Sequence, residues 1–198
     1  GMGGSVGVPG NISTASANVW IDGLYIKGSS TSSIGERAVD TALSRVRITN
    51  CRFTDVVGAI RYSGTNATDG YVGSSVFENC IGVPTASEGY GIQISGARNQ
   101  IIGNSFRSIQ RHAIYLSGAP SGAATNSIVA HNIINGMGDN HAIQMYCPTA
   151  ASNLTIKDCI IAFNVISNVS DAAGILLQDN ITDTIIVGNR ISDLSGDN

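Results

Sequence analysis

Two short apolar patterns recur along this chain in fixed order, and no other feature narrows its fold as far. The first reads apolar-x-small/polar-x-apolar. It appears as IDGLYI at 21–26, ITNCRF at 48–53, IIGNSF at 101–106, VAHNII at 129–134, IAFNVI at 161–166 and IVGNRI at 186–191, with GSSVF at 73–77 as a degenerate copy. Its central residues are Leu24, Cys51, Ser75, Asn104, Asn132, Asn164 and Asn189, at steps of 27, 24, 29, 28, 32 and 25 residues. The second is a small residue followed by a short strand: AVDTA from Ala38, AIRYS from Ala59, GIQIS from Gly91, AIYLS from Ala113, AIQMY from Ala142 and GILLQ from Gly174. Its first apolar positions are Val39, Ile60, Ile92, Ile114, Ile143 and Ile175, at steps of 21, 32, 22, 29 and 32. Repeats of this length mark stacked architectures.

The alternation within each short strand turns one face inward. A single coil cannot bury that face, so equivalent strands stack at roughly 4.8 Å and like residues form columns. The expected fold is all-β: a parallel β-helix (solenoid) of about seven coils, right-handed by the parallel-crossover rule. Asn104, Asn132, Asn164 and Asn189 are expected to form an internal ladder, each amide bonding the next coil. Turns at 28–37, 63–70, 81–90, 117–125 and 146–153 absorb the variable spacing.

Composition agrees. The chain has 198 residues, 24 of them glycine, with 42% hydrophobic and only 13% charged. The formal net charge is −3 and the lysines are Lys27 and Lys157, without a basic stripe, which argues against nucleic acid. No apolar run is long enough to cross a membrane as a helix. Cys51, Cys80, Cys147 and Cys159 show no metal-binding spacing and read as small buried hydrophobes with free thiols, with disulfides as the alternative. Residues 1–17 are assigned to a leader, expression remnant or lead-in segment, and 18–198 to the solenoid. Without a capping helix before Asn18, either the chain is a fragment of a longer one or a partner chain covers its ends or flank.

Registering on the second pattern exposes columns hidden in sequence order. Directly after the anchor lie Asp40, Arg61, Gln93, Tyr115, Gln144 and Leu176; two residues before it lie Arg37, Gly58, Tyr90, His112, His141 and Ala173. Four before it lie Gly35, Val56, Glu88, Gln110, Asp139 and Asp171. One strip thus gathers aromatic faces, planar amides and guanidinium groups, which suit sugar rings and hydroxyls. Arg61, Glu88, Tyr90, Gln93 and Gln144 are its candidate substrate-binding residues; Asp139, His112, His141, Arg111 and Tyr115 are the catalytic candidates. His112 over His141 is expected at 5 to 7 Å from the strand spacing. They read as solvated turn residues, as a proton-transfer or binding pair, or as metal ligands, although no third ligand is evident and neither metal nor cofactor is expected. Asp139 over Asp171 reads as turn chemistry or as a glycosidase carboxylate pair. Trp20 reads as packing or as a sugar-stacking face, and Asp40 beside Arg61 as a surface ion pair of small consequence.

The NxI/NxF…(G/H)xI repeat resembles the pectin-lyase-like right-handed β-helix superfamily from about Asn18 to Asn198. That group includes pectate and alginate lyases, polygalacturonases, epimerases and phage tailspikes. RHAIYLS at 111–117 and NHAI at 140–143 look most like β-helical phage and secreted polysaccharide-active proteins. The resemblance implies a polysaccharide partner, an extracellular or virion-surface location and, as in tailspikes, a homotrimer. It leaves two functions open. One is polysaccharide cleavage by a lyase or glycoside hydrolase; the other is a non-catalytic glycan-binding or shaft module of a tail fibre or adhesin. The acidic calcium cluster of pectate lyases and the paired-Asp and GHG motifs of polygalacturonases are not matched.

Overall fold

The computed structural model describes residues 12–28, 37–81, 89–119, 122–138, 140–148, 154–170 and 172–195. They form strands and turns with no helix, and so none long and apolar enough to cross a membrane. Three parallel sheets wrap one core. The first stacks Ile12–Ser13, Val39–Thr41, Ile60–Tyr62, Ile92–Ile94, Ile114–Ala119, Ile143–Cys147 and Ile175–Asp179. The second runs from Trp20–Asp22 to Ile185–Val187 and the third from Tyr25–Lys27 to Arg190–Ser195, each through seven strands. The described residues therefore make seven three-stranded rungs joined by six turns of a solenoid.

Both patterns hold their expected register. Val39, Ile60, Ile92, Ile114, Ile143 and Ile175 are aligned one above another, and Asp40, Arg61, Gln93, Tyr115, Gln144 and Leu176 form the next, outward column. Inward positions of the second sheet (Ile48, Val72, Ile101, Val129, Ile161) and third sheet (Phe53, Phe77, Phe106, Ile134, Ile166) are buried. Each such side chain contributes about 1.5–3 kcal/mol by leaving water. Phe53, Phe77 and Phe106 stack ring on ring at 5.1 and 4.7 Å between centroids, with nearly parallel planes.

Sharp corners between flat strands require left-handed backbone, and the sequence supplies residues that tolerate it. Before the second sheet this position is Asn18, Arg45, Asp69, Arg98, Asn126, Asp158 and Asp183 in successive coils, all at positive φ. Before the third sheet it is Gly23, Asn50, Ser74, Gly103, His131, Phe163 and Gly188. Phe163 is the outlier: a bulky residue at φ 55 whose ring stacks on His131 at 5.3 Å. A Cβ on Gly188 would lie 2.4 Å from that ring, so the next coil keeps a glycine beneath it.

The asparagine ladder is present at this second corner. Asn104, Asn132 and Asn164 are buried, and each Oδ1 accepts the backbone N–H of the central residue one coil earlier at 3.0–3.1 Å. Asn189 continues the pattern at 2.9 Å. Each Nδ2 donates to a carbonyl of the preceding coil: Val72, Ile101, Val129 and Ile161. Serine and cysteine finish the column, with Ser75 Oγ accepting the Cys51 N–H.

Some expectations change. Ile12 and Ser13, in the segment assigned as leader or lead-in, pair with Val39 and Asp40. Trp20 is not packed: it is 67% exposed on the outer face of the second sheet, donating its indole N–H to Thr49 Oγ1 at 2.6 Å. Its strand alternates about the inward Ile21, so Trp20 has to point outward. The four cysteines are free and buried, as expected. Arg61 pairs with Asp40 through Nε at 3.1 Å and through Nη2.

Candidate functional site

The strip lies on the outer face of the first sheet, where strand alternation turns one residue of each triplet outward. The neighbouring column is set by ladder bonds just ahead of the strands, from Ala59 N–H to Tyr90 O and from Gly91 N–H to His112 O. These two columns bring Tyr90, His112, Tyr115 and His141 together. Ring centroids are 5.5 Å apart for Tyr90 and His112, 5.3 Å for both Tyr90–Tyr115 and His112–Tyr115, and 5.8 Å for His112–His141. The His pair falls within its expected spacing and its planes lie 10° apart.

The strip is more enclosed than a bare outward column. His112 is 2% exposed, Tyr90 6% and Gln144 8%, while Arg61, Gln93, Arg111, Tyr115 and His141 are half-buried. The Arg111 guanidinium sits 5.2 Å from the Tyr90 ring centre. Its Nε is buried without a hydrogen-bond partner among the described residues, a cost the cation–ring contact partly offsets. Gln144 donates to Gln178 Oε1 at 3.1 Å. Asp139, Glu88 and Asp171 lie outside the described residues.

Hydrogen bonding assigns opposite tautomers to the two imidazoles. His112 Nδ1 is 3.1 Å from the His141 carbonyl, which can only accept, so Nδ1 carries the proton and Nε2 the lone pair. His141 Nδ1 accepts the Ala173 N–H at 2.9 Å, so its proton is on Nε2. Burial drives the His112 pKa down to about 4, helped by the nearby Arg111 charge. Burial also lowers that of His141, whose Nδ1 lone pair is already occupied. Both are neutral at pH 7: one edge accepts and the other donates. Burial raises the Tyr115 phenol, leaving it protonated as well.

Arg37 belongs to this site and was not among the sequence candidates, although it occupies the same column. It is buried, spans Gly58 in the next coil, and brings its guanidinium 5.8 Å from the Tyr90 ring centre and Nη2 3.5 Å from Gln93 Oε1. A Cβ on Gly58 would meet the Arg37 side chain at 2.6 Å, so the glycine makes this reach possible. The signal was the Arg-then-Gly order in one column. Among the described residues no three His, Cys, Asp or Glu side chains converge to hold a metal ion.

Solved structures of similar shape come from phage and from a bacterial surface. A variant tailspike protein of E. coli bacteriophage HK620, determined with a hexasaccharide, superposes with a TM-score of 0.65 at 15% identity, covering 88% of this chain and 32% of that one. A second variant of that tailspike, with a pentasaccharide, gives 0.63 at 16% identity, covering 88% and 33%. The Streptococcus pneumoniae surface protein and adhesin PfbA gives 0.53 at 12% identity, covering 92% and 66%. This chain thus spans about a third of the tailspikes' length. No curated protein sequence matches it. The family described as "Right handed beta helix region" matches residues 17–196, in agreement with the three-sheet solenoid and its asparagine corner, and the chain belongs to that family.

Proposed function

We propose that this chain is a glycan-recognition module of an extracellular or virion-surface protein, and that it contacts polysaccharide through the outer strip of its first sheet. The observation that carries this reading is the four-ring cluster of Tyr90, His112, Tyr115 and His141, flanked by Gln93, Arg111 and Arg37. The half-buried faces of Tyr115 and His141 present apolar surface to sugar C–H groups, backed by the buried Tyr90 and His112 rings, while the His141 Nε2 edge, the Gln93 amide and the Arg111 guanidinium meet hydroxyls. The oligosaccharides held by two of the similar tailspikes support it.

Recognition fits the described groups better than cleavage does. A general acid must hold a proton near the operating pH, and His112 does not. Arg61, one of the candidate substrate-binding residues, is already paired with Asp40. Cleavage would draw on Asp139. The test is retention of the purified chain on a panel of bacterial, algal and plant polysaccharides, with reducing ends assayed in the same wells. Retention without new reducing ends, weakened in Tyr115→Ala, is the expected result. Release of reducing ends would establish cleavage instead, and no retention on any polysaccharide would refute the proposal.

A specific surface favours assembly into a shaft. Ile133, Phe163, Val165, Ile185 and Val187 are 41–56% exposed around the second corner in the upper rungs. A row of this kind is what a second copy lying alongside would cover. Sedimentation of the chain as a trimer, reverting to monomer in Ile133→Lys, is the outcome this reading requires; a monomer throughout would remove it.

A further inference from the structure

A groove on the opposite flank of the first sheet, where its strands turn toward the second sheet, is not explained by the aromatic strip. It has a volume of about 650 Å³, within the range of small-ligand sites. Ala97, Thr125, Lys157 and Thr182 run along it. They are equivalent positions of four successive coils: Arg98 N–H bonds Thr125 O, Asn126 N–H bonds Lys157 O, and Lys157 pairs with Thr182. The groove therefore offers a side chain every ~4.8 Å along its length, close to the advance of one pyranose unit in an extended glycan.

The floor is rigid. Gly96 and Gly122 line it, and a Cβ on either would fall 2.1 or 2.4 Å from a backbone oxygen of a neighbouring turn, Ala67 O and Ser95 O respectively. Beneath lies a second internal ladder. Asn99 is buried, its Nδ2 donating to Gly96 O at 2.8 Å and Ala67 O at 2.9 Å while its Oδ1 accepts the Gly70 N–H. Its own N–H reaches Ser127 Oγ in the next coil. One wall is stiffened by the antiparallel pairing of Gly118 and Ala119 with Ala123 and Gly122. Such a groove loses little entropy when it is filled.

The lining selects the ligand. Threonine hydroxyls both donate and accept. Lys157, which makes no ion pair among the described residues, supplies donors, and Asp183 supplies acceptors. One charge of each sign gives no net pull on an anion. We infer that this groove is a second carbohydrate site, separate from the aromatic strip, which holds an extended, neutral, hydroxyl-rich oligosaccharide lengthwise across successive coils. This rests on the glycan-recognition reading and adds a site and a sugar class to it.

The test uses the full chain on a printed array of neutral and acidic oligosaccharides, followed by calorimetric Kd values for the neutral ones retained. Thr182→Trp fills the groove and Thr125→Val removes one hydroxyl at constant shape. Far-UV circular dichroism confirms that each variant folds. The expected result is neutral-glycan retention reduced in Thr182→Trp, a Kd weakened about tenfold in Thr125→Val, and less than twofold change between low and high salt. Retention undiminished by both variants but lost in Tyr115→Ala would overturn the groove site and leave glycan recognition standing. Retention of acidic glycans alone would overturn the sugar class and with it the inference. No retention by the unmodified chain would refute glycan recognition itself, and the groove site with it.

Discussion

Asn132 Oδ1 accepts two hydrogen bonds from Asn104 one coil below, from its backbone N–H at 3.0 Å and from its Nδ2 at 3.1 Å. The same relation links Asn132 to Asn164, at 3.0 Å for both donors. A buried amide is costly unless bonded, and here every bond crosses from one coil to another. The ladder thus couples the rungs that position the strip.

Asn132→Ala should destabilise the fold by about 3 kcal/mol, since it strips the acceptor from Asn104 and the donor from Ile101 O at a fully buried position. Asn189→Ala, on the last and partly exposed rung, should cost less than half as much. Equilibrium urea unfolding measures both. Equal losses would mean that the ladder does not act through burial.

Phe77 sits between Phe53 and Phe106, in contact with both rings. Phe77→Ala should cost about 3–5 kcal/mol, combining lost transfer energy with a cavity that neighbouring rungs, fixed by their ladders, cannot close. Phe77→Leu should recover more than half. A loss below about 1 kcal/mol for Phe77→Ala would show that the coils collapse freely.

Acid should weaken the protein in a defined window. An unfolded histidine titrates near 6.5, whereas folded His112 takes a proton only at about 4. Between those values the unfolded chain binds a proton that the folded chain does not, so stability is full above pH 6.5 and falls as pH drops toward 4. The loss attributable to His112 is about 3 kcal/mol. Asp69, held down to about 2 by Arg98 and Thr68, acts in a lower window, as pH falls from about 4 toward 2. His112→Asn retains a donor for the His141 carbonyl and should flatten the slope between pH 6.5 and 4. Chemical denaturation at half-unit pH steps reads this, and an unchanged slope would show that the imidazole is not buried.

The solenoid was legible in the sequence because its rule is periodic. A column of Val39, Ile60, Ile92 and Ile114 shows itself once two anchors are aligned, and alignment also placed His112 over His141. The asparagine ladder followed for the same reason. What escaped depends on side-chain reach rather than on period. Arg37 joins the site only because it crosses Gly58, and Trp20 is exposed because strand alternation about Ile21 turns it outward. The Asn99 ladder under the groove passes through Ser127 to Cys159, residue types too unlike one another to stand out as a column.

The central claim is that glycan meets the chain at the first-sheet strip, and ring resonances report this most directly. Tyr115 and His141 face that strip, while His131 stands at the second corner, stacked on Phe163. Aromatic NMR signals followed while titrating an oligosaccharide retained by the chain should shift for Tyr115 and His141 and stay fixed for His131. Shifts confined to His131, or absent from all three rings at saturating sugar, would contradict the account.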